Sequence, residues 1–171
     1  MLYILPPIHG ITQEIRQIQN EYSGIILDYE NGDICEEAQR LSHLIKGENN
    51  TLLGFSIGGL ISLEIAYLHP TKVQKVLAVR TLTHPKNIPF RIGFYMKMLR
   101  VVPSSIFTVL YQRRHSTSNN LPSKENLMTR LTAVQGYIPR PFARAYWIDP
   151  VGKPLFGTRI SNTELIENIQ N

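Results

Sequence analysis

Short apolar runs alternate with amphipathic stretches through the first half of the chain. Leu2–Leu5 reads as a strand that ends at Pro6-Pro7, and Thr12 to about Tyr22 as a helix with Ile11, Ile15, Ile18 and Tyr22 along one face. Gly24–Leu27 is a short buried strand. Asp33–Lys46 is a helix striped by Ile34, Ala38, Leu41 and Ile45, with Glu36 and Glu37 in its first turn and Lys46 in its last, as the helix dipole favours. Thr51-Leu52-Leu53 gives another strand, bounded by Glu48-Asn49-Asn50. A helical run from Gly59 to Leu68 stops at His69-Pro70, and Val73–Val79 is a further strand. Glu37 and Glu64 read as charges on helix surfaces. Strands separated by helices of this length predict a parallel sheet with right-handed crossovers. Ligands of such sheets bind at the carboxyl ends of the strands, where Pro7–Gly10, Ser56 and Thr81–His84 converge.

From Pro85 the period changes. Phe90–Leu99, Ser104–Tyr111 and Ser123–Val134 read as helices with no strand between them, punctuated by prolines 85, 89, 103, 122, 139 and 141. Arg113 to Asn120 is the expected loop. The chain therefore divides into an α/β core at 1–84, a helical segment at 85–150 and a tail at 151–171, with no internal repeat.

The 171 residues are 43% hydrophobic and 18% charged, which suits one globular domain with a real core. No apolar run reaches the ~18 residues of a membrane span, and Met1–Leu5 lacks the basic start of a signal peptide. The single cysteine, Cys35, excludes an intrachain disulfide and a Cys-based metal site and points to the cytoplasm. The net charge of +5 is uneven: −3 over residues 1–85, +9 over 86–153 and −1 over 154–171.

Chemistry concentrates at Gly54-Phe55-Ser56-Ile57-Gly58, a G-x-S-x-G pattern between the Thr51–Leu53 strand and the helix that runs to Leu68. Strand, sharp turn and helix are the context of a nucleophile elbow, which exposes the serine hydroxyl and aims the amides of a helix N-terminus at a developing oxyanion. Glycine at 54 and 58 leaves room for the turn and for close helix–strand contact. With its flanking elements, this motif makes the chain resemble an α/β-hydrolase, with good register to about residue 110 and more weakly beyond. The resemblance implies that Ser56 is the nucleophile, that the backbone amide of Ile57 is one oxyanion donor, and that residues 85–150 form a helical lid. The second donor falls on Ile8 in one register; if His9-Gly10 stands for the family's His-Gly it falls on Ile11, and Ile8 is favoured.

The same resemblance implies an acid and then a histidine after the lid. Histidines stand at 9, 43, 69, 84 and 115, none later. Asp149 is the one aspartate after the lid, but its setting after Phe142–Tyr146 reads as a helix end. Leu155-Phe156-Gly157-Thr158-Arg159 comes nearest the family's apolar-strand-Gly-x-x-Asp pattern, with Ile160 where an acid is wanted. Asn162–Ile169 resembles the approach to a penultimate strand, so on this alignment the chain stops before both remaining triad members and the sheet lacks its C-terminal strands. His84, just past the strand beside the elbow strand, is the candidate substitute base, with His9 a second; a loop histidine is more often structural.

The expectation is an α/β, mostly parallel sheet flanked by helices. It would be a serine hydrolase of ester, thioester or amide bonds by descent, weak or inactive as this chain, with no metal or organic cofactor. The alternative is a non-catalytic module that binds an apolar ligand or a protein partner. A small acyl substrate or apolar ligand is the expected partner. An unpaired sheet edge would favour a homodimer. Phe90–Arg100 interleaves aromatic and apolar side chains with Arg91, Lys97 and Arg100, which fits either a core helix with snorkelling cations or a lid that admits an acyl chain or lies on an anionic membrane. No nucleic-acid module is recognised.

Overall fold

A computed structural model describes residues 1–30, 33–88, 90–114, 122–154 and 156–170. The loop expected at Arg113–Asn120 lies, from His115 onward, outside the described residues, as does Leu155.

Among the described residues six strands form one sheet, every pair parallel: β1 (Leu2–Leu5), β2 (Ile25–Ile26), β3 (Asn50–Phe55), β4 (Val73–Val79), β5 (Ala145–Ile148) and β6 (Thr158–Arg159), in the order β2-β1-β3-β4-β5-β6. Helices α1 (Gln13–Glu21), α2 (Ile34–Ser42) and α3 (Ile57–Leu68) connect the first four strands. Thr12 caps α1 by accepting from the Ile15 amide, and Asp33 and Glu36 close a capping box at α2. The buried strands read as continuous apolar runs because both sheet faces are covered. Leu52, Val76 and Trp147 belong to the core on one face, beneath α2 and α3; Leu53, Leu77 and Ile148 belong to the other, with Ile15 of α1.

The helical segment follows β4 as a 3₁₀ turn (Pro85–Asn87) and helices α4 (Phe90–Val101), α5 (Ser104–Arg114) and α6 (Lys124–Gly136). The sheet then continues past the point where the sequence pattern ends it. Ala145–Ile148, at the C-terminal end of the segment expected to be lid, is β5 and pairs with Val76–Val79. Asn162–Gln170, expected to lead toward a strand still to come, is a helix, α7, that follows β6. β5 is secured by Trp147, fully buried, whose indole N–H donates to the Phe156 carbonyl at 2.8 Å while the Phe156 ring meets it edge-on.

Glu37 and Glu64, expected on helix surfaces, are both buried. Glu37 accepts from Arg40 at 2.7 Å. Glu64 accepts from the Tyr137 hydroxyl at 2.6 Å and from the Cys35 thiol at 3.7 Å, with Arg140 3.8 Å away. Buried carboxylates persist only with such partners. The bond between Tyr137 and Glu64 joins the end of α6 to α3, the helix behind Ser56. Burial, then the Glu64 acceptor, push the Tyr137 hydroxyl well above its usual range, so it stays a donor. Burial and the Glu64 charge likewise raise the Cys35 thiol, which is therefore no ready nucleophile.

Candidate active site

Ser56 sits between the end of β3 and the start of α3 at φ 54° and ψ −115°, a conformation that costs a non-glycine residue ~1–3 kcal/mol. The surroundings hold it there. Its amide donates to the Val79 carbonyl of β4 at 2.9 Å, and its carbonyl accepts from the Gly59 amide at 3.1 Å. Three glycines let the turn close. A Cβ on Gly54 would lie 2.5 Å from the Gly58 carbonyl oxygen, one on Gly58 would strike the carbonyl oxygens of Leu5 and Pro6, and one on Gly59 would strike the Thr81 hydroxyl. Strand, elbow helix and the end of β1 are thus in backbone contact at Gly54 and Gly58, and Gly59, outside the G-x-S-x-G motif, makes room for the Thr81 side chain.

Ser56 and Ile57 open onto a cavity of about 130 Å³ lined by Ile8, Leu60, Leu82, Ile88, Leu131, Val134 and Val151, with Arg80 the one charged residue among the described ones. The wall is built from the end of β1, the elbow, the segment after β4 and one face of α6. Of the two registers for the second oxyanion donor, Ile8 lines this cavity, whereas Ile11 packs into the core on the opposite face of the sheet. The loop that carries Ile8 is braced twice. The Gly10 amide donates to the Pro7 carbonyl at 3.0 Å. Arg130 of α6, buried, donates to the carbonyls of Ile8, Tyr29 and Glu30 at 3.0–3.2 Å, with its guanidinium 4.6 Å from the centre of the Tyr29 ring. No sequence signal marks this arginine: its partners are backbone carbonyls about a hundred positions away.

Asp149 follows β5 directly, which corrects the reading of its setting as a helix end. The run that precedes it, Ala-Tyr-Trp-Ile, is too short for periodicity to separate strand from helix, and its pairing with β4 decides. Phe55 is in register with Val79, and Val79 with Ile148. The next residues along these strands are Ser56, Arg80 and Asp149, and all three have left-handed φ, 54°, 48° and 46°. Three adjacent strand ends therefore share the same left-handed backbone in one row, with strands ~4.8 Å apart, and Arg80 holds the register place between the serine and the aspartate.

His84 lies four residues past that row. It caps the 3₁₀ turn, its Nδ1 accepting from the Lys86 amide at 3.0 Å, and it is not among the residues that line the Ser56 cavity. Nor is His9, in the turn after Ile8. His43 and His69 cap the C-termini of α2 and α3. Among the described residues no group of three or more His, Cys, Asp or Glu gathers as a metal site would require.

Elbow, parallel sheet and strand order define an α/β-hydrolase. The alpha/beta hydrolase fold family model matches residues 10–156, and the chain belongs to that family. Among solved structures it is similar to a hydrolase from Pseudomonas aeruginosa (TM-score 0.65, 12% identity, 99% of this chain and 88% of that one). It is also similar to an N-acyl homoserine lactone degrading enzyme (TM-score 0.62, 14% identity, 99% and 91%), and to the NocB thioesterase domain (TM-score 0.60, 18% identity, 86% and 70%). Identities this low speak for the fold alone. No curated protein matches the chain by sequence.

Proposed function

We propose that this chain descends from serine hydrolases of carboxylic esters, thioesters or amides, keeps their nucleophile and oxyanion cradle, and lacks their assembled proton relay. The observation that carries the reading is the strained Ser56 turn at the mouth of an apolar cavity, with the Ile57 amide at the head of α3 beside it. In such a site the Ser56 Oγ attacks a carbonyl carbon, the amides of Ile57 and Ile8 hold the oxyanion, and a base must take the hydroxyl proton. Arg80 occupies the place between Ser56 and Asp149 and is always protonated, so it cannot serve as that base. His84, through its Nε2 because its Nδ1 accepts from Lys86, and His9 are the candidates, and neither lines the cavity. Loss of triad members costs on the order of 10⁴ or more in rate, so turnover is slow or absent.

Arg80 favours a second reading, a ligand site without turnover. A lone guanidinium in an apolar cavity suits the carboxylate of a short acyl chain. The cavity, about 130 Å³, favours a short chain over a long one.

Labelling with a fluorophosphonate, with Ser56→Ala and His84→Ala as controls, tests both readings. The expected result is slow modification confined to Ser56 and absent from Ser56→Ala. Modification at any other residue would remove Ser56 as nucleophile. Brisk ester turnover lost in Ser56→Ala would overturn the claim of a missing relay, and its loss in His84→Ala would identify the base.

A further inference from the structure

We propose that α4 and α5 form a docking face for an anionic lipid surface. The inner sides of these helices are already occupied: Leu99 of α4, Phe107 and Tyr111 of α5 and Leu127 of α6 make a small core of their own, with the Phe107 and Tyr111 rings stacked at 4.9 Å. Their other sides carry apolar residues that no described residue covers. Phe94, Met98 and Val101 follow one another at helical spacing on α4, and Ile106, Val109 and Leu110 do so on α5; Val101 is 81% exposed and Val109 64%. Isolated apolar residues on a surface are ordinary, but two stripes on consecutive helices mark an interaction surface.

Charge selects the partner. From Lys86 to Lys124 every charged side chain is lysine or arginine, and Lys97, Arg100 and Arg113 are exposed on the same two helices. α4 and α5 carry no acid and expose apolar residues on the side away from their own small core, which fits a membrane interface, where the exposed apolar side chains enter the acyl boundary and the cations meet anionic headgroups. A twofold contact between copies through α4 and α5 would set cation against cation, with no acid on either helix. A nucleic acid would satisfy the cations and leave the apolar stripes in water. Neither alternative accounts for both features. No described helix is long and apolar enough to cross a membrane, so the contact would be peripheral.

The inference does not depend on any activity of Ser56. It is tested by sedimenting the full chain with phosphatidylcholine vesicles and with vesicles that also contain phosphatidylserine, at low and high salt. Two surface variants, each checked by its melting curve, accompany it: Lys97→Gln/Arg100→Gln/Arg113→Gln and Val101→Ser/Val109→Ser. The chain is expected to bind only the vesicles with phosphatidylserine and to come off at high salt. The charge variant should bind on the order of 100-fold more weakly, from three cations near the surface, and the apolar variant about tenfold more weakly. Binding that ignores lipid composition, salt or either variant would overturn the proposal. So would capture on duplex DNA, or a dimer dissolved by Val101→Ser/Val109→Ser, without vesicle binding.

Discussion

Gly58→Ala is expected to lower stability by about 3 kcal/mol or more. The added methyl would point into the carbonyl oxygens of Leu5 and Pro6, and these belong to the end of β1 and the turn that leads to Ile8, so neither can withdraw without disturbing the sheet. Overpacking is costly where the obstacle is backbone, because no rotamer change relieves it. The control is Gly136→Ala at the end of α6, where a Cβ meets nothing within 4 Å; there the same substitution should gain up to ~1 kcal/mol from helix propensity. Urea unfolding of the two variants measures the contrast. Equal midpoints would mean that the elbow does not pack against β1 as closely as described.

Arg130→Met should destabilise the fold by about 3–5 kcal/mol, because it removes the guanidinium that donates to three backbone carbonyls and lies over the Tyr29 ring. Its effect should also be local. Hydrogen exchange in the 6–11 segment should quicken by more than global unfolding explains, since the Ile8 carbonyl loses its tie to α6. Arg130→Lys should fall between, because an ammonium keeps the charge but cannot reach three acceptors in one plane. A Met variant within ~1 kcal/mol of the wild type, with unchanged exchange, would show that the loop is held by its own Pro7–Gly10 turn.

What was legible in the sequence followed local rules. The bounds of β4, the capped starts of α1, α2 and α6, and the elbow all rest on residues within a few positions of one another. What was not legible depended on distant pairing. Ala145–Ile148 becomes a strand because β4 offers an unpaired edge, and Asp149 gains its place beside Arg80 only through that register. Glu64 looked like a surface charge because its partners come from other elements, Cys35 from α2 and Tyr137 and Arg140 from beyond α6. Arg130 gave no sign at all, since backbone carbonyls carry no side-chain signature.

The lateness of β5 in the chain has a kinetic side. β1–β4 are joined by short connections, whereas β5 pairs with β4 across the whole helical segment, a closure that carries the entropy of a long loop and is expected to come late. The chain's single tryptophan lies in that strand and is fully buried there. Its fluorescence therefore reports the docking of the last large piece of the core, while far-ultraviolet circular dichroism reports the helices. On refolding, the dichroism signal should return first, and the interval between the two is the time for which the β4 edge stands open to a wrong partner.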